Sequence, residues 1–403
     1  MRIQRLPGPL LCLITLGVIG SACGPTPHLS AQGASPRGTS ASPVITSEPT
    51  AAPTAGSSPS LAFSCSSAIR AGAALALVSL KGSEQVVVRD VTDPSHGRTV
   101  CTFEGPPVVP RFVGTTTIGY FSQESPNSIN GGAVYIADLT AGTSRLVTSI
   151  PTGLLGASAM AWSPDGKTFT YVANGTTYAP EWHLVTAGLD RVLTTFPTVR
   201  PRGTSPDASD IYLSFSGDGK YVALVENWVA GVSNDQANVQ VRDGAGQLLY
   251  ARHDATMATW SSQYLYLWDT GTGGLRFWQP GQPQLGAVGL AQWIRPSTSP
   301  DGHFIAYTSP LAGDVHHVRL YDLTRSVDGQ LSPAGRTGAI FLKAGLVWYA
   351  EESPCPGACD LGGPPLTGRT FIYDIEAKTE SASVIGHVFD TWPHLGVGRR
   401  ALP

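Results

Sequence analysis

Short apolar runs recur along the chain, and the clearest of them follow a polar turn of a single type. Each run is rich in β-branched and aromatic residues, and each turn has the form Ser-x-Asp-Gly. The turns are residues 163–167, 216–220 and 299–303, and the runs are residues 168–172, 221–225 and 304–308. A short run of this kind, bounded by turn residues, is typical of a β-strand. The repetition predicts a fold assembled from copies of one supersecondary unit.

The residue types of the turn have a physical reason. Pro fixes φ at the first turn position, Asp hydrogen bonds to the backbone ahead of it, and Gly adopts the positive φ. We interpret these positions as turn residues and not as calcium ligands, because they lie in separate repeats and lack the ladder of acidic residues of a calcium loop. They are Asp165, Gly166, Asp218, Gly219, Asp301 and Gly302.

A second strand pattern, with alternating apolar and polar residues, recurs downstream. Its copies are residues 85–90, 133–138, 181–185, 238–243, 274–278, 317–322 and 370–374. Their spacing of roughly 40 to 55 residues is that of propeller blades. We therefore predict an all-β fold, a single β-propeller of about seven four-stranded blades, with six to eight blades compatible with the pattern. Residues 386–394 begin a further repeat, and we expect them to complete the first blade.

These repeats resemble those of TolB-type and WD-like propellers, in which Ser-Pro-Asp-Gly-Lys precedes a short β-rich run. Residues 163–173 and 299–309 are close to that pattern, and the resemblance covers roughly residues 62–395. It implies a ring of blades around a central channel, with no catalytic chemistry of its own.

Residues 1–22 have the pattern of a signal peptide. Arginines precede an apolar stretch at residues 10–19, which is too short to span a bilayer. The sequence Gly20-Ser21-Ala22 before Cys23 resembles the bacterial lipobox, which implies that Cys23 is acylated and becomes the first mature residue. Ordinary secretion, with cleavage after the same alanine, is the alternative.

Residues 23–60 consist mainly of Pro, Ser, Thr, Ala and Gly and contain no aromatic residue. A segment of this composition cannot bury a core, so we predict a disordered linker that precedes a propeller domain at residues 61–403. This organisation predicts an exported protein that is lipid-anchored at the extracytoplasmic face of the cell membrane.

Four further cysteines lie in the predicted propeller: Cys65, Cys101, Cys355 and Cys359. An even number of cysteines outside the cytosol indicates disulfides. Cys355 and Cys359 are spaced to close a small loop, which leaves Cys65 to pair with Cys101. A zinc site is the weaker alternative, because paired Cys-x-x-Cys motifs are missing.

The sequence contains no motif for catalysis, and we predict no catalytic residue, cofactor or metal ligand. It has no Gly-x-Ser-x-Gly elbow, no His-Glu-x-x-His and no Walker loop. His316 and His317 are adjacent on a predicted strand, so their side chains point to opposite faces and do not share an ion. The net charge of −3 argues against nucleic acid as a partner.

The predicted function is that of a binding module at the cell envelope, with a protein or ligand as partner. Three long connections follow the second strand of a predicted blade, at residues 122–132, 226–237 and 351–369. We hypothesise that they gather at one mouth of the channel and bind the partner. The alternative is a propeller enzyme, such as a lyase, glycosidase or quinone-dependent dehydrogenase, which requires several charged side chains that converge in the channel.

Overall fold

The computed structural model describes residues 60–80, 85–105, 107–123, 131–152, 154, 159–175, 179–196, 209–228, 239–252, 255–261, 264–269, 274–288, 294–310, 315–354 and 364–392. The predicted signal peptide, Cys23 and nearly all of the predicted linker lie outside these ranges, as do Cys355 and Cys359. Within the described part, no helix is long and apolar enough to cross a membrane.

The described strands form seven antiparallel sheets, which are the blades of a β-propeller. The first blade contains β1 (Phe63–Cys65), β2 (Leu75–Ser79), β3 (Val86–Asp90), β4 (Arg98–Phe103) and, from the far end of the chain, β29 (His387–Trp392). The second contains β5 (Val108–Gly114), β6 (Thr117–Gln123), β7 (Gly132–Asp138) and β8 (Thr143–Ile150). The third contains β9 (Met160–Trp162), β10 (Thr168–Asn174), β11 (Pro180–Thr186) and β12 (Leu189–Thr195). The fourth contains β13 (Ser209–Phe215), β14 (Tyr221–Trp228), β15 (Val239–Asp243) and β16 (Leu248–Arg252).

The last three blades repeat the same arrangement. The fifth contains β17 (Ala255–Ser261), β18 (Tyr264–Asp269), β19 (Gly274–Gln279) and β20 (Gln282–Val288). The sixth contains β21 (Ile294–Thr298), β22 (Phe304–Pro310), β23 (His316–Asp322) and β24 (Val327–Gln330). The seventh contains β25 (Arg336–Lys343), β26 (Leu346–Glu352), β27 (Leu366–Asp374) and β28 (Thr379–Ala382). The predicted all-β propeller of seven four-stranded blades is confirmed, and each copy of the second strand pattern is the third strand of its blade.

The ring closes within the first blade. The C-terminal strand β29 pairs antiparallel with β2 and supplies the innermost strand of that blade. The innermost strands of neighbouring blades contact each other around the ring, including β29 with both β5 and β25. The expectation that the last segment completes the first blade is therefore confirmed.

The first blade also carries a fifth strand on its outer edge. The strand β1 pairs with β4, and the register places Cys65 directly opposite Cys101, to which it is joined by a disulfide. Leu61, just before β1, donates its backbone N–H to the hydroxyl of Tyr120 in the second blade at 3.2 Å. The segment before β2 is thus attached to the first two blades by a covalent bond, strand pairing and this hydrogen bond.

Two faces of the propeller follow from the strand order. The turns between first and second strands, and between third and fourth strands, lie on one face, which we call the turn face. The connections between second and third strands, and between successive blades, lie on the other, which we call the loop face. The cores lie between neighbouring blades. Large buried aromatic side chains lie at or near the turn-face ends of five innermost strands: Phe112, Trp162, Phe215, Trp260 and Phe341. Each such side chain stabilises the fold by roughly 2–3 kcal/mol through the burial of apolar surface.

The three Ser-x-Asp-Gly turns are built in the same way. In the first, Ser163 Oγ donates to Asp165 Oδ1 at 2.7 Å and accepts the N–H of Thr168 at 2.9 Å, while Lys167 N donates to Asp165 Oδ1 at 3.1 Å. The same bonds recur in the turns of the fourth and sixth blades. Oδ1 of each aspartate therefore accepts hydrogen bonds within its own turn, on the turn face.

The glycine of the first turn has a second role, since it contacts the neighbouring blade. Gly166 has a φ of 67°, and a Cβ there would lie 2.5 Å from Cγ1 of the buried Val113. Gly142 has the same φ of 67°, but a Cβ there meets nothing within 4 Å. The two glycines thus separate the cost of a positive φ from the cost of a steric clash.

We predict that Gly142→Ala lowers the free energy of unfolding by about 1 kcal/mol, because only the backbone is strained. Gly166→Ala is expected to cost about 2–4 kcal/mol, because the clash with the stiff side chain of Val113 adds to that strain. Urea denaturation followed by circular dichroism measures both. Equal losses for the two variants would show that contact between the blades does not constrain this turn.

Candidate functional site

The predicted partner-binding connections all leave from the loop face. Each begins where the second strand of a blade ends and finishes where the third strand begins, at β6 and β7, at β14 and β15, and at β26 and β27. Their interiors, residues 124–130, 229–238 and 355–363, lie outside the described residues. The described strand ends on either side of each connection lie on one face, because second strands run from the turn face to the loop face.

A contact between a histidine and a glutamate joins the sixth and seventh blades at the loop face. His316, the first residue of β23, has its Nδ1 2.9 Å from Oε2 of Glu352, the last residue of β26. Glu352 is 8% exposed. The backbone continues the link, since Gly335 N donates to His316 O at 2.7 Å and Glu352 N donates to Gly335 O at 3.0 Å. The start of the connection that contains Cys355 is thus fixed to two blades.

A second set of charges lies beside this pair. Arg336 Nη1 is 2.9 Å from Oε1 of Glu351, and its Nη2 is 3.5 Å from Oε1 of Glu380. Its guanidinium carbon lies 3.9 Å from the ring centre of Phe371. A hydrogen bond from Thr367, together with the positive charges of Arg369 and Arg336, lowers the pKa of Glu351. These ion pairs fix the side chains at the end of β26 and the start of β27, which flank the connection that contains Cys355.

The innermost strands carry one equivalent position in each blade, defined by its register with the second strand. From the first blade to the seventh, these positions are Asp390, Arg111, Ala161, Ser214, Thr259, Ser297 and Ile340. Members of this set link adjacent blades. Phe112 N donates to Asp390 Oδ2 at 2.8 Å, Phe341 N donates to Ser297 Oγ at 3.4 Å, and the hydroxyl oxygens of Thr259 and Thr298 lie 3.2 Å apart. At this level of the described inner strands, five of the seven side chains are small or uncharged.

The two charged members of this inner ring lie in adjacent blades. Arg111 and Asp390 are 7% and 2% exposed. Burial lowers the pKa of Arg111, and the negative charge of Asp390 opposes that shift, as does the phenol of Tyr212 from the fourth blade. At this level of the described inner strands, one pair of opposite charges thus lies among Ser, Thr, Ala and Ile side chains.

A repeated tyrosine contact, which was not among the predicted features, connects the second and fourth strands of four blades. The hydroxyl groups donate to a polar side chain across the third strand, in the pairs Tyr120–Ser144, Tyr171–Asp190, Tyr307–Asp328 and Tyr349–Glu380. Burial, followed by the hydrogen bond to a carboxylate, raises the pKa of Tyr171, Tyr307 and Tyr349. The available signal was a tyrosine at the same position of the second strand in each of these blades.

One of these contacts has the composition of a catalytic group. His183 stacks on Tyr171, with ring centres 4.5 Å apart, and its Nδ1 lies 2.9 Å from Asp190 Oδ1. The same tyrosine-to-carboxylate bond recurs in the sixth and seventh blades with Arg319 and Phe371 at the position of the histidine. We therefore interpret the contacts of Tyr171, His183 and Asp190 as a structural link between the second and fourth strands, which we call a tyrosine tie.

The other residues singled out from sequence have structural positions. The two adjacent histidines point to opposite faces, since His316 contacts Glu352 and His317 is buried, and burial lowers the pKa of His317. Of the tryptophans, the buried ones are Trp162, Trp182, Trp260, Trp268, Trp278 and Trp348. Across the described ranges, no group of three or more His, Cys, Asp or Glu residues is placed to hold a metal ion.

No protein-family model matches the chain, and no curated protein matches its sequence. Solved structures do match. A prolyl endopeptidase is 14% identical with a TM-score of 0.53, over 81% of this chain and 50% of its own, so this chain spans half the length of that enzyme. A putative 6-phosphogluconolactonase from Bacteroides uniformis is 14% identical with a TM-score of 0.50, over 82% of this chain and 97% of its own. TolB from Acinetobacter baumannii is 20% identical with a TM-score of 0.45, over 80% of this chain and 67% of its own. At these identities the first two matches show the propeller fold alone.

Proposed function

We propose that this propeller is an exported protein, lipid-anchored through Cys23, whose loop face binds a protein partner at the cell envelope. The observation that carries the proposal is that the three long connections leave from one face of a rigid ring. Loops on a rigid scaffold are the usual place for recognition. The inner ring, with its one charged pair, supplies no comparable basis for catalysis.

Two features support an extracytoplasmic location. The N-terminal sequence has the pattern of a lipoprotein signal followed by a Pro-, Ser- and Thr-rich tether. The disulfide between Cys65 and Cys101 is the kind of bond that persists in an oxidising compartment. Cleavage after Ala22 without acylation would leave the protein secreted, and mass spectrometry of the mature N-terminal peptide distinguishes the two outcomes.

The partner-binding proposal is tested by comparing variants of the full-length protein in affinity purification from envelope membranes. Replacement of residues 355–363 by a Gly-Ser segment removes one connection of the loop face. Replacement of residues 376–378, in the turn between β27 and β28, is the matched control on the turn face of the same blade. We expect a partner that co-purifies with the unaltered protein to fall at least tenfold with the first variant and to remain with the second.

Parallel replacements of residues 124–130 and 229–238 extend the test to the other two connections. If every partner is recovered equally with all three loop-face variants, the loop face is not the binding surface. If recovery falls equally with the turn-face control, the loss reflects the fold and the proposal fails.

A further inference from the structure

We propose that a cleft on the turn face, between the second and third blades, binds a small zwitterion with one carboxylate and one ammonium group, such as a free amino acid or a dipeptide. The cleft has a volume of about 330 Å³. It lies on the opposite face from the proposed partner-binding connections, so this inference is independent of them.

The cleft is built by cross-strand neighbours on one face of the second blade. Ile136 lies opposite Arg145, and Asp138 lies opposite Thr143 on one side and Thr117 on the other. Residues that are directly opposite share a face of a sheet. The far wall is the first Ser-x-Asp-Gly turn, which contributes Asp165.

Arg145 is the cation of the cleft. It is exposed, and it makes no hydrogen bond or ion pair with any residue in the described ranges. The guanidinium group binds a carboxylate through two parallel N–H···O bonds when its donors are not already used. The side chain is thus available for the carboxylate of a ligand.

Two carboxylates supply the acceptors for an ammonium group. Asp138 uses Oδ1 to accept the N–H groups of Thr140 and Ala141, at 2.9 and 3.0 Å. Asp165 likewise uses Oδ1 within its turn, and the hydrogen bond from Ser163 lowers the pKa of Asp165. These backbone bonds hold both side chains in place. The second oxygen of Asp165 lies 3.9 Å from Nζ of the exposed Lys167, a solvent-screened ion pair that an ammonium group of a ligand would displace.

Size and charge define the ligand class. A volume of about 330 Å³ corresponds to roughly ten water molecules at their share of liquid volume, which fits an amino acid or a dipeptide. Val113 and Ile136 provide an apolar wall for its side chain. Two aspartates disfavour a phosphate dianion, and the arginine disfavours a simple diamine, so a ligand with both charges is the best match.

The test is isothermal titration calorimetry of the full-length protein with individual L-amino acids and dipeptides. Acetate and methylammonium are the probes that carry one charge each. We expect at least one zwitterion to bind with a stoichiometry of one and more tightly than either single-charge probe. Arg145→Gln is expected to weaken that binding at least tenfold, and Asp138→Asn to weaken it as well.

Arg325→Gln is the matched control, because Arg325 is an exposed arginine in a turn of the sixth blade on the same face. It should leave binding unchanged. The proposal is overturned if no zwitterion binds, if acetate or methylammonium binds as tightly, or if the Arg145 and Arg325 variants bind equally well. An unchanged urea midpoint for each variant excludes unfolding as the cause of lost binding.

Discussion

Replacement of Asp390 by Ala is expected to lower the free energy of unfolding by about 3–5 kcal/mol, because it removes a buried negative charge that acts on the buried guanidinium of Arg111. Both residues are almost fully buried in the inner ring. The substitution also removes the acceptor of the Phe112 N–H, and an unsatisfied buried donor costs about 1–3 kcal/mol. The loss should therefore exceed that of an ordinary surface substitution several-fold.

A set of variants separates the charge from the hydrogen bond. Asp390→Asn keeps an oxygen acceptor for Phe112 but removes the charge. Adding Arg111→Met to Asp390→Asn should recover part of the lost stability, since the buried positive charge on which Asp390 acts is then absent. Urea denaturation of the single and double variants gives the interaction energy. Additive losses in the double variant would show that the two side chains do not depend on each other.

Removal of the disulfide is expected to have an effect of similar size. The bond joins residues 36 positions apart, and the chain-entropy relation for a loop of that length gives about 4 kcal/mol of stabilisation. Replacement of both Cys65 and Cys101 by Ser should lower the free energy of unfolding by that amount. The first blade should be affected most, because β1 is then held to β4 by its short strand pairing and by the contact of Phe63 with Phe103.

A reducing agent provides the control for this experiment. It should lower the stability of the unaltered protein to the level of the double variant, and it should leave the double variant unchanged if this disulfide is the relevant one. A further fall of the double variant under reduction would assign a second disulfide to Cys355 and Cys359. A loss below about 1 kcal/mol in the double variant would contradict the expected role of the bond.

The strand arrangement could be predicted from the sequence, because the residues that specify each turn lie close together in the chain. In each Ser-x-Asp-Gly turn, the hydroxyl, carboxylate and glycine satisfy one another within six residues, so the pattern does not depend on the rest of the fold. Five of the seven third strands end in an aspartate before a turn, and β11 and β19 were recognised from their apolar and aromatic residues alone. The short strand β1 was missed because three residues are too few to show alternation.

The contacts that define the inner ring could not be predicted from the sequence, because the residues that form them are far apart in the chain. Phe112 and Asp390 are 278 residues apart, and their hydrogen bond exists only because the last strand joins the first blade. The tyrosine ties were also hidden, because the acceptor varies among Ser144, Asp190, Asp328 and Glu380. Arg145, on a fourth strand, carries no sequence signal at all, since its role depends on the turn of the next blade.

The first blade holds the start of the described chain at its outer edge and the end of the described chain at its inner edge. Three strands, β4, β3 and β2, separate β1 from the closing strand β29. A mechanical load applied through the residues before β1 therefore reaches the protein at the Cys65–Cys101 bond, on the rim. The pairing of β29 with β2, which closes the ring, lies on the far side of this sheet, so such a load does not act on it directly.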